Sequence, residues 1–315
     1  MELRHLRYFV SVAEELHFRK AAEKLHIVQP ALSKQISALE KELGVLLLER
    51  DRRHVTLTEA GQVFLEEALE VLAQADGAVS RARAVSRGEV GRLNIGFIQP
   101  ALADLLPRTL RVFREHYPGV KLTIGESTSR TTIEKIASRS MHFAFTRLPV
   151  EPRPDLCTEV ISEEPVLLVV PQDHRLAARG SATIADLAEE DLILIDRKVE
   201  PELHDYYVAA CNTAGFSPRV AHEVNSTWVA IGLVAGGLGV GFAPSSARLA
   251  AQHNVAYLPI EGDIPKLTIG AVYHSGPRPT VLENFLRLRP WETGADRAAA
   301  PPPRSTPPAA LTSAR

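Results

Sequence analysis

Gln29, Ser33, Lys34 and Ser37 fall on one side of a helix at their spacing, and each can hydrogen-bond to the edge of a DNA base or to a phosphate. The opposite side is apolar. Leu32, Ile36, Leu39 and Leu43 recur at four, three and four residues, so that stripe belongs to a core. Pro30 sits just inside the start of the helix, where its missing N–H costs nothing, and Gln29 stands before it as the entering residue. The outward polar residues thus gather near a helix N-terminus, where free N–H groups favour an anionic partner.

An amphipathic helix alone would suit many small domains, and its neighbours narrow the reading. Residues 18–43 have the pattern of two short helices joined by a tight turn, and a helix over 3–16 precedes them. Ala21 and Ala22, with Leu25 after them, supply the small side chains that a close helix crossing needs. After Gly44 come VLLLER, the charged run Asp51-Arg52-Arg53-His54, and Val55-Thr56-Leu57, which predict a two-stranded wing with a charged tip. Arginines on such a tip reach phosphates or a narrow minor groove.

On these residues the chain resembles the LysR-type transcriptional regulators. The matching stretches are MELRHLRYFVSVAEELHF, KAAEKLHIVQPALSKQISALEKELGVLLLER and VTLTEAG, without a gap over the first sixty or so positions. The resemblance implies that Gln29, Pro30, Ser33, Lys34 and Gln35 face an operator, with Arg50, Arg52 and Arg53 on the wing. Position 34 is more often arginine in that family, so a point charge replaces a bidentate guanine contact here. The implied architecture is α+β and multidomain. A winged helix-turn-helix occupies 1–58, a linker and dimerisation helix 59–89, and a two-subdomain α/β effector domain like the periplasmic binding proteins 90–289. Within the last, subdomain I covers 90–161 and 267–289, and subdomain II covers 162–266. The implied partners are double-stranded operator DNA, a small organic anion, further copies in a homodimer or homotetramer, and RNA polymerase.

At 315 residues, 45% hydrophobic and 23% charged, the chain is long enough for two or three units with their own cores. A net charge of -2 argues against a protein that coats nucleic acid, but not against a selective reader. The first 57 residues carry ten basic side chains against eight acidic ones, so affinity must depend on placement and dimerisation. No apolar run suits a membrane span and no secretion signal is evident, which predicts a cytoplasmic protein. Cys157 and Cys211 have neither disulfide-framework nor metal spacing; no metal and no cofactor is expected. Cys211, in CNTAG, matches the second cysteine of peroxide-sensing relatives, but Glu202 stands where its partner would be, so that switch is not expected.

Residues 58–87 lack proline and are rich in Ala, Leu and Glu, which predicts one long helix with Thr58 as N-cap. Phe64, Ala68, Val71, Ala75, Val79 and Ala82 form a seam that predicts a dimer through this helix. After a short hinge bracketed by Gly88 and Gly91, strand and helix patterns alternate, which predicts a parallel sheet. Strands are expected at 93–97, 121–125, 142–146, 166–170, 191–195, 220–224, 239–243 and 267–273. Helices are expected at 101–116, 131–138, 202–214, 228–235 and 280–288. Residues 290–315, with five prolines from Pro301 to Pro308, predict a disordered tail.

In the implied effector fold, three helix starts face one cleft: Gln99-Pro100-Ala101, the stretch from Ser127 to Thr131, and Asn225-Ser226-Thr227. Each also suits an ordinary helix cap. Within the family, the chain resembles members that control aromatic-acid catabolism, and that likeness places Arg147 on a carboxylate inducer and Pro201 in a cleft-lining loop. The expected effector residues are Gln99, Ser129, Thr131, Arg147, Pro201 and Thr227. Pro100 departs from those relatives, which have a serine there, and Asp104 in the same first turn would oppose an anion. The competing readings are an effector-independent or redox-responsive regulator, an α/β enzyme and an exported solute binder. GGLGVG at 236–241 precedes a strand and not a helix, so it is no phosphate loop, and no nucleophile elbow, zinc pair or Walker loop is present; no catalytic residue is expected.

Overall fold

A computed structural model describes residues 1–50, 54–250, 252–262, 264 and 266–292. Arg52 and Arg53 of the wing tip, and the expected tail from residue 293 onward, lie outside the described residues. The chain divides into two compact units, Met1–Ser86 and one that begins at Arg87.

In the first unit, α1 (Leu3–Glu15), α2 (Phe18–Lys24) and α3 (Gln29–Leu43) are followed by β1 (Leu48–Arg50), β2 (Val55–Leu57) and α4 (Glu59–Ser86). The apolar stripe of α3 is buried as its spacing requires, with Leu32 and Ile36 at 0% exposure and Leu39 at 1%. It packs with Phe9, Val12, Ala21, Ala22, Leu47 and Leu48. Ala21 and Ala22 are buried where α1, α2 and α3 meet, and larger side chains there would force the helices apart. The wing is antiparallel, with Leu48 opposite Leu57 and Arg50 opposite Val55. Thr58 caps α4 by accepting the Gly61 N–H at 2.9 Å, and its hydroxyl donates to the Leu46 carbonyl at 2.8 Å. Gly61 is required by close approach: a Cβ there would stand 2.0 Å from the Leu47 carbonyl oxygen.

The seam along α4 needs a correction at its N-terminal end. Ala68 is buried against Leu6 and Val10 of α1, and Phe64 meets Phe9 edge-on at 5.2 Å, so both find partners within the unit. Only the later positions stay open: Val71 and Val79 are 44% and 50% exposed.

The second unit contains β3 (Gly91–Phe97), α5 (Gln99–Leu102), α6 (Leu105–His116), β4 (Val120–Glu126), α7 (Ser129–Ala137), β5 (Phe143–Leu148), β6 (Leu156–Glu164), β7 (Val166–Pro171), β8 (Ala182–Thr183) and β9 (Asp191–Ile195). It continues with α8 (Pro201–Thr213), β10 (Arg219–Val224), α9 (Thr227–Ala235), β11 (Val240–Pro244), β12 (Val255–Glu261), β13 (Leu267–His274) and α10 (Thr280–Leu288). Among the described residues these strands make a five-stranded sheet, β4-β3-β5-β13-β6, and a six-stranded sheet, β10-β9-β11-β7-β12-β8. The chain crosses between the sheets twice, from β6 to β7 through Pro165 and from β12 back to β13. Along β9, Leu192 and Leu194 join one apolar layer while Ile193 joins the layer on the other face, so the second sheet is covered on both sides.

Four expectations are corrected here. The sheets are mixed and not parallel, because β13 returns antiparallel to both β5 and β6, and β7 lies antiparallel to β11 and β12. The helix expected at 101–116 is split into α5 and α6 at Ala103-Asp104. The sequence does not end its ordered part at 290, since Trp291 is 3% exposed and stacks on Phe143 at 5.2 Å. Gly88, expected as a hinge, is packed: a Cβ would meet the Asn284 side chain at 2.6 Å and the Thr280 backbone at 2.9 Å. The Asn284 amide donates to the Arg87 carbonyl at 2.8 Å and fixes this entry to α10.

Candidate DNA-reading helix and effector cleft

Val28 begins α3 with extended backbone and no side-chain cap, and Pro30 lies in its first turn. Pro30 has no N–H and the Ala31 N–H donates to the Val28 carbonyl at 3.0 Å, which leaves the Gln29 N–H as the first-turn donor without a side-chain cap. Gln29, Pro30, Lys34 and Ser37 are exposed, whereas Ser33 and Gln35 are half-buried. Gln35 thus lies at the flank of the outward face.

Arg50 is engaged more deeply than a wing arginine was expected to be. Its Nη2 donates to Glu40 Oε2 at 2.8 Å, its guanidinium lies 4.7 Å from the centre of the Phe18 ring, and its Nη1 stands 3.5 Å from the hydroxyls of Ser33 and Ser37. Glu40 is 7% exposed and was missed by the sequence reading. The available signal was its position: it follows Ile36 by four residues, on the buried stripe.

A cleft lies between the two sheets of the second unit and has a volume of about 360 Å³. Strand β5 delivers Arg147 to its wall, while the adjacent Thr146 turns to the opposite, fully buried side. Arg147 Nε and Nη1 are buried without a hydrogen-bond partner. Arg147 as a whole is half-buried, so two of its three guanidinium nitrogens are withdrawn from water without gaining a protein acceptor. Beneath it lies a small apolar end bordered by Tyr207, which stacks on Phe242 at 4.0 Å. Burial raises the Tyr207 hydroxyl's pKa and the nearby Arg147 charge partly opposes that rise.

The three helix starts do reach this cleft, with unequal roles. Gln99, in α5, donates from Nε2 to Glu126 Oε1 at 2.8 Å and accepts at Oε1 from the Ser226 hydroxyl at 2.8 Å, so it spans the two subdomains. Thr227 lines both the cleft and its apolar end. Thr131 lies on the wall, but its hydroxyl is held inside the cap of α7, 2.7 Å from Ser127 Oγ and 3.0 Å from Thr128 Oγ1. Two expected residues are off the wall. Ser129 is the first residue of α7 with its hydroxyl buried and unpartnered, and at the start of α8 the wall is made by Val199, Glu200 and Leu203 in place of Pro201. Asp104 does not oppose an anion in the cleft: the break before α6 turns it to Arg108 at 3.4 Å. Glu126 and Glu200 on the wall were not anticipated.

Among the described residues no cluster of His, Cys, Asp and Glu could hold a metal ion, and no helix is long and apolar enough to cross a membrane. Cys211 is buried in the second subdomain, which raises its thiol pKa and disfavours the reactive thiolate.

Residues 3–62 match the family described as bacterial regulatory helix-turn-helix protein, lysR family, and residues 86–288 match the LysR substrate binding domain. The chain belongs to the LysR family. It is similar to the HTH-type transcriptional regulator AlsR of Bacillus subtilis (strain 168), with 38% identity over 82% of this chain and 85% of that protein. Among solved structures it resembles CbnR, a LysR family transcriptional regulator, at a TM-score of 0.81 and 30% identity, over 91% of this chain and 99% of that one. Full-length CbnR complexed with its target DNA gives a TM-score of 0.80 and 30% identity, over 93% and 100%. This LysR-family chain is accordingly a DNA-binding transcriptional regulator with an effector-binding domain, and the enzyme and solute-binder readings fall away.

Proposed function

We propose that this regulator reads its operator with Gln29, Pro30, Ser33 and Lys34 of α3, and that a small organic carboxylate in the cleft switches its transcriptional output. The observation that carries the effector reading is Arg147, whose Nε and Nη1 are buried and unpartnered beside a cleft of about 360 Å³. A carboxylate supplies the missing acceptors with matched geometry. Thr227 and Gln99 are the polar neighbours that would orient it. The aromatic acids suggested by the sequence belong to this class.

The protein acts in the cytoplasm as a dimer through the exposed part of α4, and as a pair of dimers on DNA, in contact with RNA polymerase. The effector changes how the dimers are arranged and does not release them. It can do so only by binding two conformations with different affinity, and closure of a cleft between two subdomains would supply them. Calorimetry with a panel of carboxylates, alongside operator binding, tests this. Arg147→Gln should abolish carboxylate binding and the transcriptional response, with unliganded operator affinity nearly unchanged. Undiminished carboxylate binding in the variant would place the effector elsewhere.

A further inference from the structure

The cleft carries more negative than positive charge. Arg147 is the basic residue on its described wall, and Glu126 and Glu200 are carboxylates on the same wall. No salt bridge among the described residues neutralises either: Glu126 accepts only the neutral amide of Gln99, at 2.8 Å, and Glu200 begins α8 without a side-chain cap bond.

The charges are also separated. Arg147 borders both the cleft and the apolar end, as do Pro100, Leu203 and Thr227, whereas Glu126 and Glu200 border the wider part alone. The apolar end offers a volume of about 20 Å³, room for about one water molecule. A ligand anchored on Arg147 therefore cannot place a ring or chain behind the guanidinium. Its body must extend into the wider part, toward the two carboxylates. A simple monoanion there meets one attractive and two repulsive charges, while a ligand with a cation at its other end turns the two repulsions into attractions.

Resting on the carboxylate reading above, we propose that the effector is a zwitterionic amino carboxylate, with its carboxylate on Arg147 and its ammonium group toward Glu126 and Glu200. Pro100 is consistent with this arrangement. It removes an N–H donor from the first turn of α5, leaving that part of the wall less hospitable to a second anion.

The test is calorimetry on the full-length protein with matched pairs of probes: leucine and 4-methylpentanoate, phenylalanine and 3-phenylpropanoate, glutamate and glutarate. At least one amino acid should bind about tenfold or more tightly than its deaminated partner. The Glu126→Gln, Glu200→Gln double variant, which keeps side-chain size and an acceptor, should reduce that preference to about threefold or less. Tighter binding of the deaminated acids, or a preference unchanged in the double variant, overturns the zwitterion. If those acids then lose binding in Arg147→Gln, the carboxylate reading stands by itself. Binding by none of the six probes, or binding indifferent to Arg147→Gln, overturns both.

Discussion

Glu40 and Arg50 tie α3 to the wing. One oxygen of the Glu40 carboxylate accepts the N–H groups of Leu47 and Leu48 at 3.0 and 3.1 Å, and the other accepts Arg50 Nη2 at 2.8 Å. A single buried side chain thus satisfies two backbone donors of the strand entry and one guanidinium, and leaves Arg50 little free charge for DNA.

Removing this tie should be costly, since three donors lose their acceptor together. Glu40→Ala is expected to cost about 3 kcal/mol, and Glu40→Gln, which retains an acceptor, about half as much. Urea unfolding of the full chain, followed in the first transition to move, checks the order; equal midpoints for both variants and the parent would show that the tie contributes no stability.

Base reading and phosphate binding should separate by residue. Gln29→Ala and Ser33→Ala are expected to relax discrimination among operator variants, while Arg53→Ala should weaken all sequences and lower the salt slope by about one. The measurement is operator and random-DNA affinity at several salt concentrations. Identical losses on both DNAs for all three variants would contradict the division.

The open end of the α4 seam predicts where association is vulnerable. Val71→Asp and Val79→Asp place charges at positions 44% and 50% exposed in one chain, so folding should survive while association weakens. Light scattering at micromolar concentration should report a smaller species; an unchanged mass would move the interface off this helix.

Asp186 gives a pH signature. It accepts the Thr183 N–H at 2.8 Å and Arg179 Nη1 at 2.7 Å, and these, the backbone bond foremost, hold its pKa at about 2 against an ordinary 3.8. Because the folded pKa is depressed, the contribution is complete above the ordinary value and drains away as pH falls toward 2. Asp186→Asn should be less stable than the parent near pH 5, with the gap narrowing by about pH 2 in denaturant titrations. A gap constant across that range would assign the loss to packing.

Local patterns made much of this molecule legible. The spacing of Leu32, Ile36 and Leu39 identified the buried stripe of α3, and Thr58 identified the start of α4. What stayed hidden depended on residues that contradict their local pattern. Glu40 is a charge on an apolar stripe, Trp291 stands in an otherwise polar stretch, β6 mixes charges into LCTEVISEE, and β12 contains Pro259. Ser129 and Thr131 had suitable chemistry, but a cap consumes Thr131 and the turn of α7 takes Ser129 off the wall. Glu126 and Glu200 lie on segments far apart in the chain and share only the lining of one cleft, so no window of sequence could show them together.

The second crossing between the sheets also orders events at the ribosome. Strand β13 lies between β5 and β6 in the first sheet, and β6 has no other partner in that sheet among the described residues. Roughly 100 residues separate the end of β6 from the start of β13, which at about 5–20 residues per second is several seconds of translation. During that interval the six-stranded sheet is being synthesised while the earlier one waits with an unfilled centre. The nascent chain must shelter an incomplete sheet until residues 267–274 emerge, so a message truncated before residue 267 would yield a product with exposed strand edges, suited to aggregation or degradation.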